Sequence, residues 1–205
     1  MSGLFVTFEG GDGVGKTTQA SLLEEWLTDA GRTVLRTREP GGTEVGLLLR
    51  EIVLHHRGEV APRAEALLYA ADRAQHIDTL VRPALERGEV VIQDRYLDSS
   101  VAYQGAGRVL GRDEVRDLSL WATGGLLPAV TVLLDLDPAR ARQRLDADDK
   151  PFDRLESEQS AFHERVRAEF LALADAEPAR FLVLDAALPV DVLATSVRAR
   201  VSSLL

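Results

Sequence analysis

Residues 10–18 read Gly10-Gly11-Asp12-Gly13-Val14-Gly15-Lys16-Thr17-Thr18. An apolar run over 4–8 precedes them and has the look of a buried strand, and an amphipathic run over 19–27 follows and has the period of a helix. Strand, Gly-x-x-x-x-Gly-Lys-Thr, helix is the setting in which a backbone cradles a polyphosphate. Glycines bring N–H groups close to the anion with no Cβ in the way. The helix start adds free N–H donors and the positive end of its dipole. Lys16 reaches the outer phosphates and the Thr17 hydroxyl is placed to ligate Mg²⁺. The plainer alternative is a glycine-rich turn that binds nothing. The glycines, lysine and threonine in register at a strand-to-helix junction favour the phosphate loop.

The rest of the chain alternates in the same way. Apolar runs at 33–37, 90–93, 130–135 and 181–185 add four strands, separated by helical patterns. Alternation of this kind predicts an α/β fold, a five-stranded parallel sheet with helices on both faces. A chain of 205 residues is expected to form a single domain over 1–205. Thr43 is placed to cap a helix over 44–54, and a long helix is expected over 62–86, with Pro83 kinking it or beginning its end. The helix over 113–122, with Val115, Leu118 and Trp121, reads as core or oligomer contact. Another long helix is expected to start at Asp153-Arg154-Leu155-Glu156 and to close at Pro178.

Bulk properties exclude several classes. With 45% apolar residues there is enough for a core, and no run of about 18 apolar residues suggests a membrane span. Cysteine is absent, so disulfides and thiolate metal sites are excluded. A net charge of −9 argues against a broad nucleic-acid footprint. An acidic chain that binds a polyanion must concentrate its cations at one place.

Two stretches are candidates for that place. Asp94-Arg95-Tyr96 ends the third strand, where parallel sheets present their ligands. Asp94 suits Mg²⁺ or its water shell and Arg95 suits a phosphate, although a structural ion pair at a strand end would read the same. On the long helix, Tyr69, Arg73 and His76 form a stripe about 100° from the apolar one. That stripe is either a solvated face or a stacking surface beside a hydrogen-bond donor.

These stretches, with Arg38-Glu39-Pro40-Gly41-Gly42-Thr43, residues 67–76 and Tyr103-Gln104-Gly105, resemble the bacterial thymidylate kinase family along nearly the whole chain. The resemblance implies a P-loop fold of the nucleoside monophosphate kinase type and transfer of phosphate from ATP to dTMP, with Mg²⁺ as cofactor. It implies that ATP occupies residues 10–18 and that Asp12 sits near the acceptor phosphate. Arg95 would clamp that phosphate. Tyr69 would stack on thymine and Arg73 would donate to a thymine carbonyl. Tyr103 would pack on the deoxyribose, with Arg38, Glu39, Pro40, Ser100 and Gln104 completing the dTMP site. Residues 185–187 would lie beside adenine. A homodimer in the cytoplasm, with no nucleic acid or membrane partner, is the expected setting.

Position 13 is glycine, so the loop itself supplies no arginine, and the resemblance implies that a mobile lid over about 140–156 supplies it. The lid tip here is acidic, with Asp146, Asp148, Asp149, Lys150 and Pro151. Arg154 is the favoured catalytic cation, then Arg144, then Lys150. The plainer alternative for Arg154 is a helix-start residue paired with Asp153 or Glu156. Two other functions stay open. One is another nucleotide kinase of the same architecture. The other is a nucleotide-dependent switch, against which stands the lack of an Asn/Thr-Lys-x-Asp guanine motif.

Overall fold

A computed structural model describes residues 3–108, 110–147 and 152–205. Five strands, β1 (Leu4–Glu9), β2 (Val34–Arg38), β3 (Val90–Asp94), β4 (Val130–Asp135) and β5 (Phe181–Asp185), form one sheet in the order β2-β3-β1-β4-β5. Every pairing is parallel. The expected α/β architecture is borne out.

Period-2 alternation sends the strand residues to two cores. Val6, Phe8, Val90, Ile92, Val130, Val132 and Leu134 pack against α1 (Lys16–Asp29) and α9 (Val190–Ser202). Phe5 and Val91 face the opposite way, onto Ile77, Val81, Tyr96 and Leu97. Leu133 faces that side too, against Val166 and Phe170 of α8 (Ser160–Ala176). Central strands buried on both faces have no polar side to offer, which is why they read as continuous apolar runs.

The remaining helices are α2 (Glu44–His55), α3 (Pro62–His76), α4 (Arg82–Glu86), α5 (Leu97–Ser100), α6 (Arg112–Thr123) and α7 (Pro138–Asp146). Thr43 caps α2 as expected, its hydroxyl accepting from the Gly46 N–H at 3.0 Å. Asp137 caps α7 through the Ala139 N–H at 2.9 Å.

Two expectations are corrected and two open readings are narrowed. The helix over 62–86 is continuous only through a π-helical segment, Ile77–Val81. Pro83 lacks an N–H and its ring clashes with the carbonyl one turn back, so the wider turn just before it relieves the conflict. The helix expected from Asp153 begins at Ser160 instead. Asp153 Oδ1 accepts from the Leu155 and Glu156 N–H groups at 2.8 Å each, while Glu156 Oε2 accepts from the Asp153 N–H at 2.9 Å. This reciprocal capping holds a single closed turn that does not propagate. On α6 the buried face carries Val115, Ser119 and Thr123, and Trp121 is 81% exposed. Finally, the Tyr69, Arg73 and His76 stripe is buried, not solvated.

Candidate active site

β1 leads into α1 on one face of the sheet and β3 leads into α5 on the other, so a crevice opens at the carboxyl ends of these neighbouring strands. That is where parallel α/β sheets bind ligands. Phe8 and Asp94 are register partners at its floor.

On the β1 side the loop runs over residues 10–15 into α1. Gly15 caps α1 in the left-handed region, at φ 98°. Gly13 has φ 72°, and a Cβ there would lie 2.8 Å from the Ala141 carbonyl and 3.0 Å from the Leu145 side chain. The absent side chain therefore lets α7 rest directly on the loop. Lys16 is buried, and its Nζ donates to the carbonyls of Gly10 at 3.2 Å and Gly11 at 2.5 Å. Burial and the Arg95 charge lower its pKa. Thr17 Oγ1 donates to Asp94 Oδ2 at 3.0 Å, joining the two residues expected at the metal. Thr18 is exposed at the start of α1.

On the β3 side, Arg95 has φ 67°, the only positive φ at a non-glycine among the described residues. Strain of this kind persists only where neighbours hold it. Its N–H bonds the Phe8 carbonyl at 2.9 Å. Its guanidinium donates to the Gly10 carbonyl and to Ser99 Oγ, both at 3.1 Å, and pairs with Asp12. Ser99 in turn donates to Glu9 Oε2 at 2.6 Å, and Glu9 Oε1 accepts from the Tyr96 N–H at 2.7 Å. Burial acts to raise the Asp12 pKa, but Arg95 and Lys16 outweigh it and bring it down to about 2. The Tyr103 hydroxyl donates to the other Asp12 oxygen at 3.2 Å, and its ring lies under the Arg95 guanidinium at 5.1 Å.

Two cavities meet at Asp12 and Arg95. One, of about 770 Å³, is polar and carries Lys16, Thr17, Arg38, Asp94 and Arg144. The other, of about 150 Å³, carries Tyr69, Arg73, Ser100, Tyr103 and Gln104, with Glu39 and Pro40 at its wall. Sequence reasoning thus brings together most of its candidate residues. Arg38 lines the larger cavity, not the one holding Tyr69.

Arg73 is 2% exposed and held on every side. Its Nε donates to Glu39 at 2.8 Å, and its terminal nitrogens donate to Ser119 at 3.1 Å, Ser100 at 2.9 Å and the Tyr96 carbonyl at 3.3 Å. Of the five N–H groups of a guanidinium, one is left over. Helix α6, read from sequence as free of chemistry, supplies Ser119 to this anchor.

Arg154 does not line the large cavity. Its Nε donates to the Val53 carbonyl at 2.9 Å, its backbone N–H to the Leu54 carbonyl at 3.2 Å, and its guanidinium lies 2.5 Å from Glu65 Oε2. The partners suggested from sequence, Asp153 and Glu156, are taken up in their own turn. Arg144 does line the large cavity and donates to the Ala186 carbonyl at 3.0 Å, beside residues 185–187. The third candidate, Lys150, and the acidic tip at Asp148, Asp149 and Pro151 lie outside the described residues.

Sequence reasoning missed Glu9, Arg50, Glu65, Ser99 and Ser119. Arg50 lines both cavities and donates to the Pro40 carbonyl at 2.8 Å. A single cation late in the apolar helix Glu44–His55 was its only signal. Among the described residues no helix is long and apolar enough to cross a membrane, and no three or more His, Cys, Asp or Glu side chains cluster to hold a metal.

Comparison with known proteins points the same way as the crevice. A family model described as thymidylate kinase matches residues 8–197. A thymidylate kinase from Leifsonia xyli subsp. xyli is 69% identical over 198 residues, covering 97% of this chain and 94% of that protein. One from Clavibacter michiganensis subsp. michiganensis is 67% identical over 205 residues, covering 100% and 97%. One from Deinococcus radiodurans is 55% identical, covering 98% and 97%. With matches that run the length of both partners and a phosphate-loop cavity that meets a smaller one at Asp12 and Arg95, this chain belongs to the thymidylate kinase family.

Proposed function

We propose that the chain, acting as one P-loop domain, transfers the γ-phosphoryl group of ATP to the phosphate of dTMP, giving ADP and dTDP. The bond from the γ-phosphorus to the β,γ-bridging oxygen breaks, and a bond from a dTMP phosphate oxygen to that phosphorus forms. The observation that carries this reading is that the loop cavity and the smaller cavity share Asp12 and Arg95. A donor held at the loop and an acceptor held in the smaller cavity meet there.

Phosphoryl transfer asks a protein mainly for positioning and charge stabilisation. The N–H groups of residues 10–18 and Lys16 hold the donor phosphates. Arg95, fixed by Asp12, Ser99 and Gly10, clamps the acceptor phosphate, with Arg50 beside it. Tyr69 stacks on the base, the spare Arg73 N–H meets a base carbonyl, and Tyr103 packs on the sugar. Arg144 takes the role of the lid arginine over about 140–156, because Arg154 is committed to Glu65 and Val53. Thr17 and Asp94 form an all-oxygen pair that suits Mg²⁺, which keeps several waters and relies on substrate phosphates for its other ligands. Once bound, the ion neutralises charge on the β- and γ-phosphates.

A homodimer is part of the same reading. Val45, Leu48 and Ile52 of α2, Leu67 of α3 and Trp121 of α6 are all exposed, on helices that pack side by side. Apolar residues grouped in this way suit a partner surface. The substrates place the work in the cytoplasm.

The test is ADP release with ATP and Mg²⁺ across dTMP, dUMP, dCMP, dGMP, AMP and UMP. A strong dTMP signal with a weak dUMP signal is expected. Preference for another monophosphate would discard the base-site assignment, and silence across the panel with ATP still bound would favour a nucleotide switch. Light scattering would sink the dimer if it gave a mass near 22 kDa.

A further inference from the structure

We propose that Glu65 sets which pyrimidine the smaller cavity accepts, by fixing the orientation of the Gln104 amide. The inference rests on the dTMP kinase reading above and assigns a residue that reading leaves without a role.

Glu65 is a carboxylate on α3 with 0% exposure, and Gln104 is 1% exposed in the π-helical segment Val101–Gly107. Gln104 Nε2 donates to Glu65 Oε1 at 2.8 Å. Arg108 Nε also donates to that oxygen, at 3.4 Å, and the Arg154 guanidinium lies 2.5 Å from Oε2. A carboxylate flanked by two guanidinium groups only accepts hydrogen bonds, and both guanidinium groups only donate. Glu65 Oε1, the atom the amide meets, therefore has no hydrogen to give an amide oxygen, and Arg108 Nε directs its one hydrogen at that same Oε1. The NH₂ of Gln104 must face Glu65, and its Oε1 must face the cavity, where it accepts no hydrogen bond among the described residues.

The cavity then offers an acceptor, Gln104 Oε1, together with a donor, the spare Arg73 N–H. A pyrimidine with a 4-carbonyl beside an N3–H matches both. A 4-amino pyrimidine, whose N3 is an acceptor, is mismatched at both. Released from Glu65, the amide can turn over and present N–H to N3. Glu65 is thus a positioning residue for base choice. Because Arg154 grips the same carboxylate, the turn at 153–156 is tied to it as well.

The experiment compares kcat/KM for dTMP and 5-methyl-dCMP, which share the methyl group and the sugar. It uses the full-length enzyme, Glu65→Gln, Glu65→Asp, Gln104→Met and the double variant Glu65→Gln/Gln104→Met. Glu65→Gln should lower the dTMP preference by about tenfold or more, the size of one lost hydrogen bond in a buried site, with KM for ATP unchanged. Glu65→Asp keeps the charge between the arginines while withdrawing it from Gln104, so it reports even if Glu65→Gln does not fold, and it should shift the ratio the same way. Against Gln104→Met, adding Glu65→Gln should leave the ratio alone. Equal losses for both substrates in the Glu65 variants, or an undiminished shift in the Gln104→Met background, overturn the proposal while leaving the kinase reading standing. A full-length enzyme without dTMP turnover overturns the kinase reading instead.

Discussion

Replacing Arg73 by methionine is the sharpest probe of the buried stripe on α3. Arg73 and Glu39 form an ion pair in which both side chains are 2% exposed. Removing one partner of a buried pair leaves the other uncompensated, at about 3–5 kcal/mol. Ser100 and Ser119 can rotate their hydroxyls, but the Tyr96 carbonyl loses a donor. His76 Nδ1 stays 3.0 Å from Glu39 and offsets part of the loss, which places the expected value near the lower end, ~3 kcal/mol. At about 2–4 °C per kcal/mol for a chain of this size, Tm should fall by roughly 6–12 °C. Urea unfolding with a shared slope gives the free energy directly. Glu39→Gln should also destabilise. The double variant Arg73→Met/Glu39→Gln removes both charges, so its loss should be smaller than the sum of the singles by about 1.5 kcal/mol or more, within the range for contacting residues. Refolded Arg73→Met should show a raised KM for dTMP with KM for ATP unchanged. The reasoning fails if the single variant costs under about 1 kcal/mol, or if the two losses simply add.

Arg144→Ala should lower kcat by about 10³-fold or more, as loss of a supplied arginine does, whereas Arg154→Ala should chiefly lower stability. A kcat collapse in a stably folded Arg154→Ala would reverse that assignment. Activity on dUMP should trail that on dTMP by about 10–200-fold, the range for one methyl group in an apolar pocket. Burial, then the Asp98 charge, raise the Glu9 pKa from its ordinary 4.5 to about 7. The folded state therefore holds a proton that the unfolded chain releases, and stability should fall as pH rises through that window. Glu9→Gln should flatten the fall, and a parallel pH–stability curve for the variant would count against it. Asp12 behaves oppositely. Its contribution is present above its ordinary 3.8 and lost as pH drops to about 2. In Arg95→Met burial should prevail and raise its pKa above 3.8, which carboxyl NMR titration would read.

What could be read from the sequence depended on whether a role is carried by the backbone or by a buried neighbour. The loop, the five strands and the Thr43 cap were legible because glycine spacing, apolar alternation and capping chemistry act locally. The π-helical segments at Ile77–Val81 and Val101–Gly107 were not, since a wider turn has no periodicity of its own over five to seven residues. Tyr69, Arg73 and His76 were visible as a stripe, but a stripe of polar residues reads as solvent-facing. It is inward here because Glu39, from the loop after β2, meets it from the other side. Arg154 was misplaced for a related reason. Its setting before Leu155 and Glu156 looks like a helix start, and only the fold reveals that Glu65, far along the chain, lies against its guanidinium.

Carboxylates set against arginines account for how an acidic chain can bind two polyanions. A net charge of −9 suggests repulsion, yet two arginines of the crevice are each gripped by an acid, Arg95 by Asp12 and Arg73 by Glu39, while Glu65 holds Arg108 and Arg154, which line neither cavity. In these positions the acids do not mainly cancel charge. On the proposed reading, Asp12 and Glu39 fix the Arg95 and Arg73 forks for phosphate and base, so that the ordering entropy of two long side chains is lost in folding and not in binding. Lys16 and Arg144, by contrast, bond backbone carbonyls and form no ion pair among the described residues. The division is consistent with chemistry. On the proposed reading, Arg95 and Arg73, which meet the acceptor, are held rigidly by acids, whereas Lys16 and Arg144 line the cavity of the transferring phosphate, where charge changes during transfer.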